Sequence, residues 1–143
     1  MLWAFWGSRC ASAGELATVE AAGVKVHVHR AAALSVAHLL LRLRRAGMHL
    51  HAADTGAYNC RRIAGSSLWS LHGAGIAVDV NWRSNPNRQL AITDVTPEAV
   101  RLVQELRLPN SEAPLWAWGG HWRTPDPMHW QLNAKPDELW WVR

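Results

Sequence analysis

Apolar and polar residues alternate through Val24-Lys25-Val26-His27-Val28-His29, the period of a half-buried strand. Residues 31–46 change to a helical pattern, with Leu39, Leu40, Leu41 and Leu43 along it and Gly47 behind it as a stop. Before the strand, residues 14–22 predict a short helix ended by Gly23. After the long helix, residues 48–52 predict a second strand and residues 57–61 a short extended piece, followed by a Gly65-Ser66-Ser67 loop. Residues 75–81 alternate and carry β-branched side chains, which places Asp79 on a strand. A polar loop with Asn85-Pro86-Asn87 covers 83–88. Thr96-Pro97-Glu98 then opens a helix running to about residue 108, with threonine at the N-cap and proline in the first turn. A loop over 109–114 leads to two last strands, 116–118 and 128–132. No repeat or linker divides the chain, so the expectation is one α+β domain over 1–143, helices packed on a small antiparallel sheet.

Composition adds size and charge. The 143 residues are enough to bury a core, and the 49% apolar content excludes a disordered chain. Ten tryptophans stand against one tyrosine and one phenylalanine; packing accounts for most of them, with a sugar- or peptide-holding groove as the other use. The net charge of +4 favours an anionic partner such as wall polymer, nucleic acid or a membrane surface. The basic run Arg42-Leu43-Arg44-Arg45 reads as a solvated helix face, and no recognition motif supports nucleic acid. The apolar start, Met1 to Trp6, is too short and lacks the leading charge of a secretory signal, and no stretch reaches membrane-spanning length. Cys10 and Cys60 are too few for a disulfide framework; two separate thiols are the expectation, with pairing the alternative outside the cytoplasm.

The chemistry concentrates in two places. Ser70-Leu71-His72-Gly73-Ala74-Gly75-Ile76-Ala77-Val78-Asp79 supplies an imidazole and a carboxylate, and Asp126-Pro127-Met128-His129 supplies a second imidazole. Two histidines and one carboxylate are a usual ligand set for a catalytic zinc. They converge if the strand over 128–132 lies beside the strand over 75–81. Asp126 is then left to act as base. Rival metal pairs exist on paper at His27/His29 and at His49/His51 with Asp54 nearby. His121 reads as an exposed loop residue and His38 as a helix-face residue without a catalytic part. Trp69, Trp82, Trp118, Trp122 and Trp130 flank these motifs, walling either a cleft or the core.

The run Ser70-x-His72-x-x-Gly75-x-Ala77-x-Asp79 closely resembles the SxHxxGxAxD signature of VanY-type D-alanyl-D-alanine carboxypeptidases and L-alanyl-D-glutamate peptidases. Asp126-x-x-His129-Trp130 is similar to that group's (D/E)xxH element, and Trp118-Gly119-Gly120-x-Trp122 to the segment before it. Tyr58-Asn59-Cys60-Arg61 with Gly65-Ser66 resembles the YxxR…GS stretch upstream, so the likeness covers residues 24–132.

The resemblance implies a hedgehog/D-Ala-D-Ala-peptidase-like fold, with one Zn2+ per chain on His72, Asp79 and His129. It also implies Asp126 as general base and Arg61 as the group that steadies the substrate carbonyl or oxyanion, with Arg62 as the alternative. Ser70 and Tyr58 are implied substrate contacts. Relatives of the carboxypeptidase type more often carry glutamate where Asp126 stands, so the aspartate is closer to phage endolysins that cut L-Ala–D-Glu. Gln131 and Ala74 depart from common family residues. The implied function is hydrolysis of an amide bond of the peptidoglycan stem peptide by a monomer that takes neither nucleic acid nor membrane. The protein would be made in the host cytoplasm and act on the wall after release. The alternatives are a D-Ala-D-Ala carboxypeptidase and, from another class, a zinc-containing binding domain without catalysis.

Overall fold

The computed structural model describes residues 2–7 and 9–142 and shows an α+β architecture. Strands β1 (Leu16–Ala21) and β2 (Val24–His29) form a hairpin. Its two-residue turn, Ala22-Gly23, has both residues at positive φ, as a tight hairpin matched to strand twist requires. The alternation in β2 does what it predicts: Val24, Val26 and Val28 are buried while Lys25 and His27 face out. The expected helix over 14–22 is not formed. A 3-10 turn at Ala13–Glu15 runs into β1 instead, because pairing with β2 fixes Leu16 to Ala21 extended. Cross-strand pairing overrides the helix preference of the alanines and glutamates there.

Helix α1 (Ala33–Arg45) buries Val36, Leu39, Leu40 and Leu43 against this hairpin and against α3 (Pro97–Gln104). Thr96 caps α3, its hydroxyl accepting from the Ala99 N–H at 3.1 Å. The helix stops four residues earlier than expected, where the Leu115 N–H donates to the Leu106 carbonyl and draws the chain away. In the basic run of α1, Arg42 is not simply solvated: it pairs with Glu105 at 3.0 Å across the α1–α3 interface.

A second sheet has the order β3–β5–β4, with β3 at Ala77–Asp79, β4 at Trp116–Trp118 and β5 at His129–Leu132. Both pairings are antiparallel, and the register sets Asp79 opposite His129. Trp116 and Trp130 are fully buried and Trp118 stacks on Trp130, so these tryptophans are core. Residues 48–52 do not form the expected strand. Two of their backbone groups are taken by one side chain, Asn81, whose amide accepts from the His51 N–H and donates to the His49 carbonyl. Residues 57–61 form no strand, although the neighbouring Gly56 bridges to Asp79.

Cys10 and Cys60 are joined in a disulfide, which corrects the expectation of separate thiols. Sequence spacing carries no distance information across a separation of 50 positions. The fold supplies it through the Ala11 N–H, which donates to the Gly73 carbonyl, and the Tyr58 hydroxyl, which donates to the Ala11 carbonyl. Among the described residues, no helix is long and apolar enough to cross a membrane.

Candidate metal centre and cleft

His72 sits on a single helical turn, α2 (Leu71–Ala74), capped by the Ser70 hydroxyl, which accepts from the His72 N–H at 3.2 Å. The turn ends at Gly75 in the left-handed region, with φ +76°. A side chain there would meet the His29 backbone nitrogen at 2.5 Å, so this position needs glycine both for its conformation and for close approach to β2. The chain then enters β3, and Asp79 arrives opposite His129 on β5.

The three side chains meet. His72 Nε2 lies 3.2 Å from an Asp79 oxygen and 3.2 Å from His129 Nδ1, and His129 Nδ1 lies 3.2 Å from the other Asp79 oxygen. Each imidazole is oriented from behind. His72 Nδ1 is 2.8 Å from the Ala57 carbonyl, which only accepts, so Nδ1 carries the proton and the Nε2 lone pair faces inward. His129 Nε2 donates to Gln131 Oε1 at 3.0 Å, leaving Nδ1 to face Asp79. Two imidazole lone pairs and a carboxylate thus converge on one point, and only a cation or a shared proton can stabilise that arrangement. The donor set and its outer hydrogen bonds fit zinc. Burial alone would raise the Asp79 carboxyl; when His129 or His72 carries a second proton, its hydrogen bond and charge hold that carboxyl well below the ordinary carboxylate range.

No other such cluster of three metal-ligating side chains occurs among the described residues. His27 faces out and contacts Thr18, while His29 accepts from the Ala31 N–H, so that pair does not gather a site. His49 and His51 stack edge to face at 4.7 Å beside a separate depression, and Asp54 does not complete a ligand group with them. His121 is exposed and packs edge-on against Trp118.

His72 and His129 open into a cleft of about 530 Å³ whose walls include Arg61, Ser70, Arg88, Trp122 and Asp126. Asp126 is half-buried, and its Oδ1 is buried without a hydrogen-bond partner. Burial raises its carboxyl above the ordinary value; the His129 charge opposes this, the Asp79 charge adds to it, and His72 and Arg61 oppose it further. The Trp118-Gly119-Gly120 segment explains its placement. Asp126 N–H donates to the Gly119 carbonyl at 2.9 Å, and a Cβ at Gly119 would fall on the Asp126 carbonyl oxygen. A Cβ at Gly120 would enter the Trp118 ring.

Arg61 lines the cleft and also a smaller cavity shared with Tyr58, His72, Asp79 and Trp82. Arg62 points elsewhere: its guanidinium lies 4.1 Å over the Trp69 ring and bonds the Ser67 carbonyl. Of the two arginines, Arg61 is therefore the one in the cleft. Ser70 lines the cleft with its hydroxyl engaged in capping, and Tyr58 has its hydroxyl engaged with Ala11. Gln131 is the residue whose role sequence alone left undefined. The signal was its place two positions after His129, on the same face of β5.

A two-histidine, one-carboxylate centre beside a half-buried acid with one partnerless oxygen is the arrangement of a metal-dependent hydrolase. Residues 64–132 match the family described as D-alanyl-D-alanine carboxypeptidase, and this match supports the VanY-type zinc peptidase family. No curated protein and no solved structure matches the chain.

Proposed function

We propose that this protein is a zinc-dependent peptidase that hydrolyses the L-Ala–D-Glu bond of the peptidoglycan stem peptide. The family match supports a wall-directed metallopeptidase, and the convergence of His72 Nε2, His129 Nδ1 and Asp79 supports the metal. Bound zinc would supply Lewis acidity, making water a nucleophile near neutral pH. Asp126 takes the proton of the attacking water and passes it to the leaving amide nitrogen, a role that its partnerless Oδ1 and raised proton affinity suit. Arg61, exposed in the cleft, steadies the negative charge that develops on the carbonyl oxygen. Tyr58 and Ser70 shape the peptide's path beside it. The Cys10–Cys60 disulfide suits action outside a reducing compartment, as release onto the wall from the host cytoplasm would require.

The description of the matched family favours a second reading, a D-Ala-D-Ala carboxypeptidase. Mass spectrometry of purified peptidoglycan incubated with zinc-loaded protein separates the two. New stem fragments with amino-terminal D-Glu, absent when a chelator is present, are the expected result. Free D-alanine would move the assignment to the carboxypeptidase. No metal-dependent product would leave a zinc-containing binding domain.

A further inference from the structure

We propose that Arg88 binds the free α-carboxylate of the residue on the leaving side of the scissile bond, so that the enzyme selects acid over amidated stem peptides. This rests on the peptidase reading above. Arg88 is held in an uncommon way. Its backbone is in the left-handed region at φ +68°, a conformation that is unfavourable for a residue with a side chain. Its N–H donates to the Pro125 carbonyl at 2.6 Å, next to Asp126. The loop that carries it is pinned by the fully buried Asn85. That amide donates to the Val80 and Asn81 carbonyls and to Asp94, and accepts from Thr93 and the Asp94 N–H. Backbone strain that the surroundings over-determine is often found where a side chain has a task.

The side chain has no hydrogen-bond or ion-pair partner among the described residues. Arg88 is exposed, lines the cleft with Arg61, and among the described residues no carboxylate lies within ion-pairing distance of either guanidinium. Arg61 is taken by the carbonyl oxygen. Asp126 must return its proton to the leaving nitrogen, so the leaving residue lies on the Asp126 side, where the backbone of Arg88 is tied. In an L-Ala–D-Glu bond and in a D-Ala-D-Ala bond alike, the carbon bearing that nitrogen also bears a free carboxylate. A guanidinium fork matches a carboxylate in two hydrogen bonds, and an uncharged carboxamide cannot replace it.

The test uses the zinc-loaded full chain and two stem peptides that differ only in the α-carboxyl of the D-Glu, free or as carboxamide, with a matching acid and amide pair ending in D-Ala-D-Ala. The unmodified protein is expected to prefer the acid by about tenfold, chiefly through KM. Arg88→Ala abolishes the preference by weakening only the acid peptide, and Arg88→Lys restores part of it. Equal loss on acid and amide, or an unmodified protein indifferent to the change, overturns the proposal. If no peptide is cleaved, the peptidase reading fails by itself. Calorimetric binding of the same peptides then decides Arg88: acid preference lost in Arg88→Ala supports it, and equal binding overturns it.

Discussion

Gln131 Oε1 accepts from His129 Nε2 at 3.0 Å and thereby turns His129 Nδ1 toward Asp79. Both residues lie on β5, so the orientation of a metal ligand is set by the pleat of a single strand. Removing the acceptor with Gln131→Leu is expected to weaken zinc binding about 10- to 100-fold while the fold persists. Competition against a chromophoric chelator measures this directly. An unchanged affinity would mean that Gln131 does not orient the ligand.

Asp126→Asn keeps the shape of the site and removes its base. The variant is expected to bind one zinc per chain and to lose at least about 100-fold in kcat. Metal analysis and peptide turnover on the same sample check both halves. Turnover at the parent rate would reassign the base.

Gly119→Ala places a methyl group on the Asp126 carbonyl oxygen and against the Asp126 and His129 Cβ atoms, each 3.2 Å away. The backbone must shift to accept it, at a cost of about 1–3 kcal/mol. Because the shift falls on both Asp126 and His129, activity should fall further than thermal stability. A variant that melts lower but turns over normally would show the contact to be structural alone.

The disulfide closes a long loop and ties the amino-terminal segment to the 57–61 segment that ends in Arg61. Replacing Cys10 and Cys60 with serine is expected to lower stability by about 2–4 kcal/mol in urea unfolding. Reduction of the unmodified protein should give a similar loss, and a reduced protein as stable as the oxidised one would remove the disulfide from the account.

Glu15 gives a pH signature. Its carboxyl accepts from the backbone and hydroxyl of Ser12 and pairs with Arg9, which lowers it from 4.5 to about 2. A carboxyl held low in the folded state contributes stability that is complete above its unfolded value near 4.5. That contribution disappears as the pH falls through about 2. Carboxyl NMR should find this titration, and Glu15→Gln should flatten stability between those two values. A Glu15 titrating near 4.5 would contradict the geometry.

Much of the site was legible because its signals are local. The HxxGxAxD spacing encodes a capped turn, a left-handed glycine and a strand in order, and these deliver His72 and Asp79 wherever the turn lies. Alternation places Asp79 on a strand, and a strand is also expected over residues 128–132, so the pairing of the two needs only antiparallel neighbours. What failed depends on distant partners. Leu16 to Ala21 reads as helix until β2 lies beside it, residues 48–52 read as strand until Asn81 takes their hydrogen bonds, and the cysteines read as separate until the fold brings residues 10 and 60 together. Arg88 was invisible for the same reason: nothing next to it in sequence says that Pro125 holds its backbone.

In the proposed mechanism, hydrolysis requires zinc held by His72, Asp79 and His129. The most direct test of this requirement titrates zinc into metal-free protein while the release of stem-peptide fragments is followed. Activity is expected to rise linearly to a plateau at one zinc per chain, with no activity at any zinc level for Asp79→Ala. Hydrolysis independent of zinc, or a plateau retained by Asp79→Ala, would contradict it.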